Sequence, residues 1–166
     1  MIFVTVGTHE QQLNRLIEKI DKLIEDGFIN EEVIIQSGFS TYKAKNCRCE
    51  NIIPYFEMIN NIKKARIVIT HGGPATFIMP LQIGKIPVVV PRLKKFDEHV
   101  NDHQLDFAKL VKERQGNIIL VEDIDELLNI IRNYESIIEL MPKEIASNNN
   151  KFNIEFKNIV NELFIS

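Results

Sequence analysis

At 166 residues and 45% apolar content, the chain is large enough for one domain with a sizeable core, or for one domain with an appendage. Its 20 basic and 23 acidic residues leave a formal charge of −3, which excludes a global electrostatic footprint for nucleic acid and makes any anion binding local. No apolar run approaches the roughly 20 residues that a bilayer crossing requires.

Ile2 to Val6 reads as a first strand, entered without a basic leader or a small-residue cleavage site, so a strand and not a signal peptide is expected. Gly7-Thr8-His9-Glu10 is expected to close the turn directly into a helix. That helix places Leu13, Leu16, Ile17, Ile20, Leu23 and Ile24 on one face and ends near Gly27. Val33-Ile34-Ile35 predicts a second strand, and Ser37-Gly38-Phe39-Ser40 a turn. Cys47 and Cys49, in Cys-Arg-Cys, are too close for an ordinary disulfide and lack the second pair a zinc site needs. They point to a reduced, cytosolic protein. Asn51 to Tyr55 predicts a weaker third strand ended by its proline, followed by a helix over 56–64.

The central stretch is Arg66-Ile67-Val68-Ile69-Thr70-His71-Gly72-Gly73-Pro74-Ala75-Thr76. Ile67 to Thr70 form a short buried strand, the glycine pair a tight turn, and Pro74 suits the first turn of a helix. A helix N-terminus directs free N–H groups and partial positive charge above the strand, and the missing Cβ atoms let a bulky anion approach. Phosphate is the natural guest. Taken alone, a glycine pair after a strand also serves simply to pack a helix tightly.

Gly84-Lys85-Ile86-Pro87 breaks that helix, and Val88-Val89-Val90 is the all-apolar strand of a sheet covered on both faces. Arg92-Leu93-Lys94-Lys95, the one local basic cluster, begins a charged loop into a helix expected over 98–113. Asn117 to Val121 predicts a last strand, and Asp123 caps a final helix of the sheet domain. Strands alternating with helices at this spacing predict an α/β fold with a parallel, doubly wound sheet, Rossmann-like, over residues 1–141. Ligands of such sheets bind beyond the carboxyl ends of the strands, so the Gly7 to Glu10 and His71 to Thr76 turns are expected to border one crevice. Residues 142–166 form an appendage. Phe152, Phe156, Ile159, Val160 and Leu163 recur there at helical spacing, in a helix that either folds back on the sheet or docks on a partner.

Glu98-His99-Val100-Asn101-Asp102-His103-Gln104 gathers hydrogen-bonding groups at a helix start, where they are either solvated or grip sugar hydroxyls. On a helix His99 and His103 would share a face, yet no third metal ligand has matching spacing, so no metal is expected. His9 beside Glu10 is either an acid/base pair, or a residue that caps the helix or meets a phosphate oxygen.

Ala65 to Thr76, then Gly84 to Arg92, then Glu98-His99 through Asp102-His103-Gln104, in this order and spacing, resemble the C-terminal, donor-binding domain of family 28 glycosyltransferases, one half of a GT-B fold. The opening Val6 to Gln12 and the short length look like the stand-alone catalytic subunits of two-component transferases. These include the small subunit of the dolichol-pathway N-acetylglucosaminyltransferase and the hexosyltransferases of capsule and exopolysaccharide synthesis. The resemblance implies a UDP-sugar donor, no cofactor, a lipid-linked saccharide acceptor, and a membrane-anchored subunit that holds this one at the inner face of the cell membrane. It also implies that Gly72, Gly73, Pro74, Ala75 and Thr76 cradle the diphosphate, with Gly7 and Thr8 bordering it, and that Asp102 and Gln104 hold the sugar. His9 is the expected catalytic base, with Glu98 or His99 behind it.

Two positions depart from the family pattern. Met79 stands where a glutamate grips the ribose, which leaves His71 and Thr76 as candidates for that contact, and Leu105 stands where a second glutamine is usual. The latter is consistent with a simpler hexose such as galactose, with glucuronic acid and N-acetylglucosamine as the other candidates. A non-catalytic nucleotide-sugar-binding module of a polysaccharide assembly complex is the alternative, and a UDP-sugar epimerase of the same fold is a third reading.

Overall fold

A computed structural model describes residues 1–141. The elements run β1 (Ile2–Thr5), α1 (Asn14–Glu25), β2 (Val33–Gln36), β3 (Arg48–Glu50), α2 (Tyr55–Lys64), β4 (Ile67–His71), α3 (Pro74–Gln82), β5 (Val88–Val90), α4 (His103–Gln115), β6 (Ile119–Leu120) and α5 (Leu127–Glu139). All strand pairings are parallel, in the order β3-β2-β1-β4-β5-β6. The order reverses between β1 and β4, and that junction is where a doubly wound sheet opens a crevice. The helix expected within 142–166 lies outside the described residues.

Alternation along the strands decides which helix covers which face. Ile2, Val4, Ile67, Ile69, Val88 and Val90 pack with Leu16, Ile17 and Ile20 of α1 and Leu127, Ile131 and Tyr134 of α5. On the opposite face Phe3, Ile34 and Val68 meet Ile62 of α2, while Val89 meets Phe77 of α3 and Ala108 of α4. The central strands are apolar on both sides because both sides are covered.

Three boundaries differ from the sequence reading. The third strand is Arg48–Glu50 and not 51–55, because its pairing with Ile34 to Gln36 is completed before the chain reaches Asn51. Ile53 is still buried, but as a loop residue whose N–H donates to Gln36 Oε1 (3.1 Å). The cysteines therefore flank and enter an edge strand. Cys47 packs against the core, and burial followed by the neighbouring Cys49 pushes its thiol up to about 12. Helix α1 begins at Asn14, not straight after Glu10, because Ser40 Oγ accepts the Leu13 N–H (2.9 Å) and the preceding residues are held as a loop. Helix α4 begins at His103, not Glu98, so His99 lies in the loop and does not share a helical face with His103.

Candidate active site at the carboxyl ends of β1, β4 and β5

Three turns leave neighbouring strands at one edge of the sheet. The first is built on Thr5, whose Oγ1 accepts the Gly7 N–H (3.2 Å) and Gln36 Nε2 (3.1 Å). Gly7 is left-handed at φ 74°, a conformation that costs a residue with a side chain. A Cβ there would stand 2.4 Å from His71 Cε1, so the first turn lies directly on the histidine that ends β4.

His71 is wedged from the other side as well. A Cβ on Gly73 would fall 2.3 Å from His71 Nε2, so the imidazole sits between the two glycine turns. The Thr76 hydroxyl donates to Gly73 O (2.7 Å) and lies 3.2 Å from His71 Nδ1. Burial, then the charge of Arg92, lowers the His71 pKa to about 3. The ring is neutral and acts as a wedge.

Above it, Pro74 opens α3 at its first position and Gly73 precedes the helix in extended backbone. The first-turn N–H groups of a helix have no intrahelical acceptor, and Gly73 and Ala75 present theirs at the switch point of the sheet. Thr76, the last residue of the expected cradle, is turned inward: its N–H and hydroxyl both serve Gly73 O.

The third turn brings the polar cluster to the glycines. A Cβ on Gly72 would meet Gln104 Cβ at 2.8 Å and Pro91 Cβ at 3.1 Å, so Gln104 abuts the turn, its Oε1 accepting the Arg92 N–H (3.1 Å). Asp102 is exposed, and its Oδ1 closes the loop by accepting the Lys94 N–H (2.8 Å). Glu98 is fully buried. Both its oxygens meet Arg15, at 3.0 Å from Nε and 3.0 Å from Nη2, and Oε2 also accepts the Leu93 N–H (3.0 Å). A carboxylate so engaged stabilises the loop; removing either partner of such a buried pair typically costs about 3–5 kcal/mol.

His9 is exposed in the first loop, with Nδ1 accepting the Gln11 N–H (3.3 Å), and it stands well ahead of Asn14, so it does not cap α1. Among the described residues it forms no ion pair with Glu10. Its neighbour is His99 of the third loop, with ring centroids 5.8 Å apart and planes inclined by 35°. Because β4 lies between β1 and β5, the two imidazoles meet across the end of the strand that carries the glycine pair.

The two departures have structural explanations. Met79 packs against the Phe3 and Ile62 core, and Leu105 against the Phe77 and Ala108 core, so neither faces the crevice as a polar group would. The sequence reading placed Gly38 in a turn but not at the site; it stands at φ 54°, and its Cβ would lie 2.4 Å from Gly7 O. Nor did that reading assign Arg15 or foresee that Arg92 is wholly buried. An arginine directly after an all-apolar strand and proline was the available signal.

His71 gives the domain a testable acid sensitivity. Unfolded, it takes up a proton near 6.5; folded, not until about 3, so between these values the unfolded chain holds the extra proton and stability falls as pH falls. Asp21, which burial alone would raise, is held below its usual range by donors from Asn46, Lys45 and Tyr42, and Glu31 is likewise lowered by Arg66 and the N-terminus once burial is offset. Those carboxylates act at lower pH. Urea midpoints taken from pH 7 to pH 5 are therefore expected to drop in the parent, approaching about 1.4 kcal/mol per pH unit from this group, and to flatten in His71→Asn.

A six-stranded parallel sheet in this order, with glycine turns at its switch point, defines a Rossmann-like ligand-binding domain of the kind that forms half of a GT-B enzyme. The glycosyltransferase family 28 C-terminal domain matches residues 1–163, and the chain belongs to that family. Among solved structures it is similar in fold to the glycotransferase of kitacinnamycin (TM-score 0.50, 19% identity, 84% of this chain and 34% of that one). The glycosyltransferase SnogD from Streptomyces nogalater shows a TM-score of 0.45 at 19% identity, over 83% of this chain and 36% of its own. The chain thus spans about a third of the length of these enzymes. No curated protein sequence matches it.

Proposed function

We propose that the chain is the donor-side, catalytic part of an inverting glycosyltransferase that moves a hexose from a UDP-sugar to a lipid-linked saccharide in capsular or exopolysaccharide synthesis. It acts with a membrane-anchored subunit that binds the acceptor. One observation carries the reading: two loops close from either side over the N-terminus of α3, where first-turn N–H groups suit an anion, and each loop brings a histidine to the meeting point, while the glycine pair itself is packed against His71, Gln104 and Pro91. The family membership supports glycosyl transfer.

In this mechanism the first-turn N–H groups of α3 hold the diphosphate and stabilise the charge that builds on UDP as the bond to the anomeric carbon breaks. Asp102 and Gln104 hold the hexose hydroxyls. His9, exposed on its loop, accepts the proton of the acceptor hydroxyl as that oxygen bonds to the anomeric carbon from the opposite face; His99 lies against it and orients it. Leu105, turned into the core, leaves the sugar one amide fewer, which favours galactose over glucuronic acid and N-acetylglucosamine.

Titration with UDP by calorimetry, followed by incubation of the assembled enzyme with UDP-galactose, UDP-glucuronic acid and UDP-N-acetylglucosamine and a lipid-linked acceptor, tests the proposal. UDP uptake with sugar transfer from one donor is expected. Absence of UDP binding overturns it, and binding without transfer from any donor assigns the chain to a nucleotide-sugar-binding module instead.

A further inference from the structure

Arg92 is the largest wholly buried side chain of the domain, and its surroundings are unusual for a guanidinium. It forms no ion pair within 4.0 Å among the described residues. It serves three main-chain carbonyls of the β1–α1 loop: Nη2 donates to Val6 O (2.7 Å) and Gln11 O (3.1 Å), and Nε reaches Gln12 O (3.4 Å). Nη1 is buried without a partner. Burying such a group is costly unless its donors are used, so what it holds matters to the fold.

What it holds is the loop that carries His9. Arg92 itself begins the β5–α4 loop that carries His99, and its own N–H is fixed by Gln104. Four further bonds cross the same junction: Arg15 Nη2 donates to Pro91 O (3.1 Å), Arg15 also holds both oxygens of Glu98 (3.0 Å each), and Gln12 Nε2 donates to Phe96 O (3.3 Å). Only the Arg92 side chain reaches both ends of the His9 segment, at Val6 and at Gln11 and Gln12. The loops otherwise have the closed end of β4 between them.

We propose that Arg92 is a positioning residue: its buried guanidinium fastens the first loop to the third across the end of β4, and so fixes His9 against His99 over the glycine turn. The inference rests on the reading of His9 as the base for its kinetic consequence, but its geometric content stands apart from activity. A lysine at this position keeps the charge and cannot reach both ends of the segment at once, since it carries one nitrogen where arginine carries a planar fork.

The test is Arg92→Lys, read in two ways. In the full chain with UDP bound, cross-relaxation between the carbon-bound ring protons of His9 and His99 is expected in the parent and lost in the variant; its persistence overturns the proposal. In the assembled enzyme, turnover is expected to fall roughly tenfold or more with UDP affinity within about threefold, as displacement of a catalytic group without loss of the binding site requires. His9→Ala made in the Arg92→Lys background should then cost less than about threefold further, and full additivity of the two changes overturns the proposal. A His9→Ala change silent in the parent sinks the base assignment alone and leaves the cross-relaxation result to decide the role of Arg92. Should Arg92→Lys not fold, Gln12→Met removes the Gln12 Nε2 to Phe96 O cross-link without leaving a buried charge unpaired. Retention of the His9 to His99 contact there supports Arg92 as the fastener, and its loss overturns the proposal.

Discussion

Gly73→Ala is expected to disable the crevice while leaving the backbone conformation permitted. At φ −76° the position tolerates a side chain, so the effect is purely steric: the new methyl would lie 2.3 Å from Nε2 of a histidine that is itself only 7% exposed. The ring has nowhere to go, because Gly7 presses on its other edge and Thr76 holds Nδ1. Overpacking of this kind costs about 1–3 kcal/mol, visible as a fall in thermal midpoint. UDP affinity is expected to fall at least tenfold, ~1.4 kcal/mol, because the displaced imidazole shifts the turn that presents the Gly73 and Ala75 N–H groups. A cycle with His71→Ala identifies the cause. Once the ring is gone, Gly73→Ala should cost less than about 0.5 kcal/mol, whereas an undiminished penalty would show that the clash lies elsewhere.

His9→Ala is expected to cost about 10²–10⁴-fold in turnover, the usual contribution of a positioned general base, with UDP affinity essentially retained. The side chain is exposed and its one bond is local, so its removal leaves the loop fastened by Arg92 and Ser40. The measurement is turnover, at saturating donor, of the enzyme assembled with the acceptor-binding subunit proposed above. Activity within a factor of two of the parent would remove His9 from the role and direct attention to His99, which shares the junction.

Much of the architecture was legible in the residues. Runs such as Ile67 to Thr70 and Val88 to Val90 announce strands buried on both faces, and the Leu16, Ile17, Ile20 and Leu23 spacing announces a helix with one covered side. Where the reading slipped, long-range contacts had outweighed local pattern. Asn51 to Tyr55 is more strand-like than Arg48 to Glu50, but register against β2 placed the strand at the latter. Glu98 to Asp102 carry polar, helix-compatible residues, yet the pull of Arg15 on Glu98 and of the Lys94 N–H on Asp102 keeps them in a loop.

By itself, then, the sequence determined the alternation of strands and helices, the glycine turn after β4 and the family to which the chain belongs, since periodicity and spacing are properties of neighbours along the chain. Tertiary structure alone decided that Arg92 points inward to carry a loop, that Glu98 is spent on Arg15, and that His9 finds His99 rather than Glu10. Those pairings join residues about 80 or 90 positions apart in the chain, and only the strand order β1-β4-β5 brings their loops to the same place, since hydrogen bonds and packing act over a few ångströms of space and not along the sequence.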